Sequence, residues 1–256
     1  MKNLGLLLSF FTITVLWSCG NESTKSSGGE SPVAETPAET PAEEASVEEQ
    51  PAVCLWENLS VRQDPSSKGK WLTSMSLGEV VTYAGETALD SAADKSYHKV
   101  RLSDGTEGWS LATFIEIDGT EGVFKADTEI YKRPDLLTKA NKQYSSMDIV
   151  AISNTNGGWV EVRGKRADGK YIESGWVKGD NISSEAVDVA TAKFGVTALA
   201  KESMDEKIAA LTEILENSDL ASSAFIPALN EKLTELTDEQ QALVPDVVEV
   251  VADSVQ

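Results

Sequence analysis

The sequence predicts a β-plus-α protein: a disordered N-terminal tether, then two small β-barrels, then a C-terminal α-helical bundle. Two observations support this order. All five tyrosines and five of the six tryptophans lie between residues 53 and 184, in short stretches of β-branched and aromatic residues that are typical of strands. Residues 185–256 contain no Trp or Tyr, and their apolar residues recur at a spacing typical of helices.

Residues 1–18 are predicted to be a signal peptide. Lys2 precedes an apolar stretch that is shorter than the roughly 20 residues needed to span a bilayer. The segment Leu16-Trp17-Ser18-Cys19-Gly20 resembles the lipobox of bacterial lipoproteins, from which Trp17 departs. The resemblance implies that Cys19 is acylated, for example with palmitate, and anchors the protein in the bacterial cell envelope, at the periplasmic face or in the outer membrane. The alternative is an ordinary secretory signal with an incidental cysteine.

Residues 19–52 are predicted to be an acidic, disordered tether. Between residues 20 and 52 there are eight acidic residues, one basic residue (Lys25), four prolines and no aromatic residue. So little apolar surface cannot offset the loss of chain entropy on folding. The alternative for this charge run is an interaction tail for a basic partner, or an address read by sorting machinery.

Residues 53–118 and 119–184 are predicted to form the two barrels. Stretches such as 79–83, 98–102 and 159–163 partly alternate apolar and polar residues, which is typical of strands. Between the strands lie the clusters 103–105, 154–158 and 167–169, whose Asp-Gly and Gly-Gly steps favour tight turns with positive φ. The same order of strand, turn and Gly-Trp features occurs in both halves, which indicates an internal repeat.

The motifs of this repeat resemble those of bacterial SH3-type (SH3b) domains. The first copy carries Leu59-Ser60-Val61-Arg62-Gln63-Asp64-Pro65, then Leu77-Gly78-Glu79-Val80-Val81, and later Gly108-Trp109. The second copy keeps Gly158-Trp159-Val160-Glu161-Val162 and Gly175-Trp176-Val177. The resemblance implies SH3-like barrels that bind cell-wall (peptidoglycan) peptides or other extended ligands at aromatic surfaces. The Gly before each closing Trp permits a close backbone approach or an unusual dihedral angle.

The candidate ligand-binding residues are aromatic side chains in both copies. Trp71 is the better candidate because it follows the polar stretch 66–70. The alternative for Trp109 and Trp176 is a partly buried place in a barrel. Cys54 is either a buried small hydrophobic residue or a free thiol that could bridge to another molecule. The full set is Trp71, Tyr97, Trp109, Tyr131, Trp159 and Trp176.

Residues 185–256 are predicted to be an acidic helical domain. Ser203-Met204-Asp205-Glu206 is a capping box, and it precedes a stripe of apolar residues at helical spacing. A second stripe runs from Phe225 to Leu236, and Thr237 with Gln240 is another candidate helix start. Pro227 and Pro245 are expected at helix starts or breaks. The stripes either pack on each other or form a groove for a partner helix, and their spacing leaves both alternatives open.

The composition bounds the function. The net charge of −20 argues against nucleic acid as a partner. His98, Cys19 and Cys54 are too few for a zinc site or a Cys/His catalytic centre, and no metal or cofactor is predicted.

We therefore predict a non-catalytic envelope lipoprotein that binds peptidoglycan or an envelope protein, and not an enzyme. One alternative is a surface-exposed lipoprotein that contacts host or other cells. Another is an enzyme, or an accessory domain of a cell-wall enzyme, with Asp168 and Glu173 as an acid/base pair.

Overall fold

A computed structural model describes residues 48–243. The predicted signal peptide, Cys19, the tether up to residue 47 and Pro245 lie outside these residues. The described part is a β-plus-α protein, as the sequence predicts: antiparallel sheets come first and three α-helices follow. Within residues 48–243, no helix has the length and apolar character needed to cross a membrane.

The first β unit, residues 50–117, is one antiparallel sheet of seven strands. Strand β1 begins at Gln50, inside the segment predicted as tether, because Pro51 and Ala52 pair with Thr82 and Val81. The strands are β1 (Gln50–Cys54), β2 (Leu59–Arg62), β3 (Trp71–Met75), β4 (Val80–Asp90), β5 (Lys95–Arg101), β6 (Glu107–Leu111) and β7 (Ile115–Ile117).

The second β unit, residues 120–183, repeats this arrangement. Its sheet order is β10-β9-β13-β12-β11-β8-β14, and that of the first is β3-β2-β6-β5-β4-β1-β7, so every strand has a counterpart. The strands are β8 (Thr120–Phe124), β9 (Thr128–Tyr131), β10 (Lys139–Tyr144), β11 (Ile149–Asn156), β12 (Trp159–Lys165), β13 (Ile172–Lys178) and β14 (Ile182–Ser183).

Each β unit has its own apolar core. Val61 and Val100 are fully buried in the first, and Phe124 stacks on Tyr144 in the second with ring centroids 4.7 Å apart. The glycine before each closing Trp allows two strands to approach closely. A Cβ on Gly108 would lie 2.6 Å from Val61 Cγ1, and one on Gly175 would lie 2.5 Å from a methyl carbon of Ile130. Close approach is therefore the role of both glycines.

Three helices follow the second sheet: α1 (Ala186–Leu199), α2 (Met204–Glu216) and α3 (Ile226–Leu243). The predicted capping box is present, because Ser203 Oγ accepts from Glu206 N and the Glu206 side chain accepts from Ser203 N. Pro227 lies in the first turn of α3, where proline is tolerated. Thr237 does not begin a helix. It lies inside α3, and its hydroxyl donates to Leu233 O at 2.8 Å.

The helices pack on each other and on the second β unit. Leu211, Phe225 and Leu229 share one core with Val123 and Ile149 of the second sheet. The apolar stripes therefore pack internally, as one of the two alternatives expects. Asp188, in the first turn of α1, is buried and accepts from Ser183 Oγ at 2.6 Å and from Ser223 Oγ and Ala224 N at 2.8 Å. These bonds join the end of the sheet, α1 and the segment before α3.

The two β units are in direct contact. Val53 and Leu55 of the first pack with Ala151 and Ile172 of the second. Arg163 of the second unit donates to Thr113 O at 2.7 Å and to Ile115 O at 3.2 Å, and it pairs with Glu116 at 2.7 Å. This arginine fixes the turn of the first unit that carries Phe114.

Candidate functional site

The outward face of the first sheet gathers the three aromatic residues predicted from the first copy. Arg62 pairs in register with Trp71 on β3 and with Trp109 on β6. Residues directly opposite each other in a sheet point to the same face, so an arginine separates two tryptophans there. Tyr97 pairs with Leu111, the residue two positions after Trp109 on the same strand, and so belongs to the neighbouring row of that face.

These aromatic residues differ greatly in exposure. Trp71 is 57% exposed and its indole N–H donates to Ser74 Oγ at 3.2 Å. Trp109 is half-buried, which fits the alternative of a barrel position as well as a contact role. Tyr97 is only 2% exposed, so it can offer little more than the floor of a site.

A cleft of about 240 Å³ opens beside this row, and we call it the Trp56 cleft. Its apolar lining is Trp56, Leu59, Tyr97, Leu111 and Phe114, and the ring centroids of Trp56 and Phe114 are 4.8 Å apart. Phe114 lies in a short 3₁₀ turn after β6, and Trp56 lies in the turn after β1. The cleft thus combines two rings from separate turns with a floor of buried strand residues.

The rim of the Trp56 cleft is cationic. Arg62 and Lys95 line it, and Lys165 of the second unit lies with its Nζ 5.4 Å from the Trp56 ring centroid. None of these three makes an ion pair within residues 48–243. The acidic neighbour Glu57 is engaged elsewhere, since it pairs with Lys193 of α1 at 3.3 Å.

Cys54 supports the turn that carries Trp56. It is fully buried, and its thiol donates to Trp56 O at 3.1 Å. Burial raises the pKa of this thiol to about 12, so the reactive thiolate is scarce at neutral pH. Of the two alternatives for this residue, the structure favours the buried small hydrophobic side chain.

The second β unit fills the same face with its own side chains. Trp159 is the counterpart of Tyr97 and is 8% exposed. The ring of Tyr131 packs edge-on against it at 4.9 Å, and Lys178 Nζ lies 3.9 Å from its ring centroid. Trp176 pairs in register with Tyr131 and is half-buried. Tyr131 and Trp159 therefore pack on each other under the Lys178 side chain, and Trp176 lies beside Tyr131 in the sheet.

Asp168 and Glu173, the candidate acid/base pair, both face Arg166. The guanidinium lies 2.5 Å from an oxygen of Asp168 and 3.7 Å from one of Glu173, and Lys142 contacts Glu173 at 2.7 Å. Lys142, Arg166 and Asp168 line a hollow of about 520 Å³ in which cations and carboxylates neutralise each other. In contrast, the Trp56 cleft has cations and no lining carboxylate.

Of the cleft lining, only Tyr97 is among the site residues predicted from the sequence. The other two aromatic residues, Trp56 and Phe114, and the two basic residues, Arg62 and Lys95, are not. Arg62 was present in the opening motif, but its charge carried no sign of a ligand role. Trp56 offered a weak signal, as a large aromatic residue beside acidic Glu57 just before the opening strand.

His98 is the one histidine of the chain. In the structure it lies on β5, and its Nδ1 is 2.9 Å from Thr87 Oγ1. Burial, with a smaller effect from Arg163, lowers its pKa. Within residues 48–243, no group of three or more His, Cys, Asp or Glu side chains is placed to hold a metal ion.

Comparisons with known proteins give little further guidance. No family model matches the chain, and no curated protein matches it. Among solved structures it is similar to NlpC2 from Trichomonas vaginalis, with 14% identity, a TM-score of 0.22, and coverage of 60% of this chain and 57% of that one. NlpC1 from the same organism gives 14% identity, a TM-score of 0.22, and coverage of 61% and 55%. The chain thus spans little more than half the length of these proteins, and TM-scores this low do not establish a shared fold.

Proposed function

We propose that this chain is a lipid-anchored protein of the bacterial cell envelope whose first β unit binds a cell-wall peptide or an envelope protein without catalysis. The observation that carries the proposal is the Trp56 cleft, where an aromatic lining meets cations that have no carboxylate partner within residues 48–243. Aromatic side chains and arginine dominate the binding energy of protein interfaces. The two β units are taken as SH3-like barrels, in line with the motifs at 59–65 and 175–177.

The chemistry of the cleft favours binding over reaction. Its lining offers flat apolar rings, hydroxyl groups and positive charge, and it contains no carboxylate, histidine or cysteine. The titratable side chains of the lining that could transfer a proton are Tyr97 and Lys95, and the lining places no carboxylate or imidazole beside them or beside Ser60 and Ser67 to act as a base. A ligand held there would therefore be retained and released unchanged.

The anchor is the second part of the proposal and rests on Cys19 and the sequence around it. Acyl chains on this cysteine would hold the protein on a membrane leaflet, since each buried methylene contributes about 0.8 kcal/mol. Metabolic labelling with a palmitate analogue tests this part. We expect incorporation into the wild type and none into Cys19→Ala, and equal labelling of both would contradict it.

Co-sedimentation with purified sacculi, together with capture from envelope extract, tests the binding role. The chain from Gly20 onward is compared with Trp56→Ala and with Tyr171→Ala, a control that removes an aromatic residue 75% exposed on the second unit. We expect the wild type and the control to be retained by sacculi or by one defined envelope protein, and Trp56→Ala to lose at least tenfold. Failure of the wild type to bind either would overturn the proposal.

A further inference from the structure

We infer that the Trp56 cleft binds an anionic, extended peptide, and that Lys165 of the second β unit completes the site. The inference rests on the proposed binding function and names its ligand class. A carboxylate of the peptide would contact Arg62 and Lys95 at the rim. A neighbouring apolar side chain would pack against the adjoining rings of Trp56 and Phe114.

Charge complementarity is the first support. The chain as a whole has 42 acidic and 22 basic residues, yet the residues that line this cleft include two basic and no acidic side chains. Glu57, which follows Trp56 directly, pairs with Lys193 on α1 and accepts from Leu77 N at 3.0 Å. Asp90 lies opposite Lys95 in the sheet but forms no ion pair with it and is not part of the cleft lining. Positive charge at the cleft attracts anionic partners, while the net charge of −20 opposes the approach of further copies of this chain.

The size of the cleft is the second support. Pockets that enclose a whole small molecule usually measure about 300–1,000 Å³. At about 240 Å³ the Trp56 cleft suits one or two side chains of a longer ligand. Arg62 continues the site along the sheet, because it pairs in register with both Trp71 and Trp109. A peptide that enters the cleft could therefore extend along this row.

The composite nature of the site follows from the contact between the β units. Lys165 comes from the end of β12 and is exposed beside the Trp56 ring. Its position relative to the first unit is fixed by Arg163, two residues earlier, which bonds to Thr113 O and Ile115 O beside Phe114. The second unit thus supplies a third cation to a cleft of the first.

Selection from a phage library of random peptides tests the inference on the chain from Gly20 onward. The matched variants are Arg62→Gln with Lys95→Gln, Lys165→Gln alone, and a control, Lys68→Gln with Lys170→Gln, that removes two exposed cations outside the cleft lining. We expect enriched peptides to contain Asp or Glu beside an apolar residue. Their affinity should fall at least tenfold in the double rim variant, severalfold in Lys165→Gln, and not in the control. Binding should also weaken as salt is raised.

Enrichment of neutral or basic peptides, or no enrichment, would overturn the inference. A loss in the control equal to that in the rim variant would do so as well. If the wild type binds no peptide and the variant with Glu39, Glu43 and Glu44 changed to Gln does, the inference is overturned for the unmodified chain, because its own acidic residues compete for the cleft.

The proposed function fails separately. If the chain is retained on sacculi but binds no acidic peptide, only this inference is contradicted. If it binds acidic peptides but neither sacculi nor an envelope protein, only the proposed function is contradicted.

Discussion

The first and second β units share one strand order and differ on the face that would meet a ligand. The bond from Leu55 N to Phe114 O in the first corresponds to that from Lys125 N to Asn181 O in the second. Likewise Leu111 faces Tyr97 in the first, and Lys178 faces Trp159 in the second. In the first unit, Phe114 and Leu111 therefore line the Trp56 cleft. In the second unit, Lys178 covers the Trp159 ring.

Two copies of one fold can therefore make different contacts in the same protein. The second unit packs against the helices through Val123 and Ile149, and against the first unit through Ala151 and Ile172. On the outward face of the first unit, Trp71 stays exposed.

The closing glycines should differ in their tolerance of a side chain. A Cβ on Gly108 would meet backbone Arg62 O at 2.7 Å, whereas the nearest backbone atom to one on Gly175 is Tyr131 O at 3.4 Å. Because backbone yields less readily than a side-chain methyl, we expect Gly108→Ala to destabilise by about 3 kcal/mol and Gly175→Ala by about 1 kcal/mol. Urea unfolding measures both. Equal losses of unfolding free energy would show that the strands approach each other equally closely at the two glycines.

Asp188 should matter only to the second unit and its helices. Burial alone would raise its pKa, but hydrogen bonds from Ser183, Ser223 and Ala224 outweigh burial and lower it. We expect Asp188→Asn to cost about 2 kcal/mol at pH 7, since hydrogen bonds to a charged group are lost.

The pH dependence gives a second measurement on Asp188. A lowered pKa in the folded state stabilises fully above about pH 4, the ordinary aspartate pKa, and this stabilisation is lost as the pH falls through the folded-state value. Urea unfolding between pH 7 and pH 2.5 should therefore bring the wild type and Asp188→Asn closer together. Exposed Asp180→Asn serves as control. A gap that stays constant with pH would contradict this assignment.

Exchanging one residue between the two β units should change the ligand affinity only when the exchange is made in the first unit. Phe114→Asn introduces the residue of the second unit and removes the ring that packs on Trp56. We expect about a tenfold loss of ligand affinity, or about 1.4 kcal/mol. The reciprocal Asn181→Phe should leave affinity unchanged. Both are measured on sacculi or with a selected peptide, and equal effects of the two exchanges would contradict the assigned site.

The smallest difference concerns the two lysines above tryptophan rings. Lys178 Nζ is 3.9 Å from the Trp159 centroid, and Lys165 Nζ is 5.4 Å from that of Trp56. Cation–π attraction is worth about 0.5–1 kcal/mol at exposed sites and weakens with distance. Lys178→Ala should therefore destabilise by about that amount and Lys165→Ala by less, as measured by thermal unfolding. A larger destabilisation by Lys165→Ala than by Lys178→Ala would show that the stronger cation–π contact is the one at the Trp56 cleft.

Local sequence signals predicted much of the framework. The expected positive φ occurs at Gly105, Gly157 and Gly158. Glycine adopts this left-handed backbone in tight hairpin turns without a steric penalty. Gly169 lies in a turn without positive φ, so the Asp-Gly signal alone was not sufficient there. Thr237 was misassigned because an N-cap pattern also fits the interior of a helix, where the hydroxyl bonds to the preceding turn.

The cleft could not be predicted because tertiary contacts create it. Trp56 is placed by Phe114 from another turn and by Lys165 from another sheet, and neither lies near it in sequence. The bounds of the first helix, which lies within the predicted helical domain, were not predicted for a related reason. Its buried positions include small residues such as Thr191, Ala192 and Gly195, while Phe194 and Val196 are exposed, so no clear apolar stripe marks it.

The placement of β1 also has a mechanical consequence. This strand is hydrogen-bonded to β4 on one side and to β7 on the other, and Trp56 follows just beyond its end. Tension between the chain before Gln50 and a ligand held at Trp56 would act along the axis of β1. Such a force shears both ladders together, because their hydrogen bonds lie across the direction of pull. Several hydrogen bonds would then have to break at once. Strand β1 would therefore resist this force far better than a force that breaks its hydrogen bonds one after another.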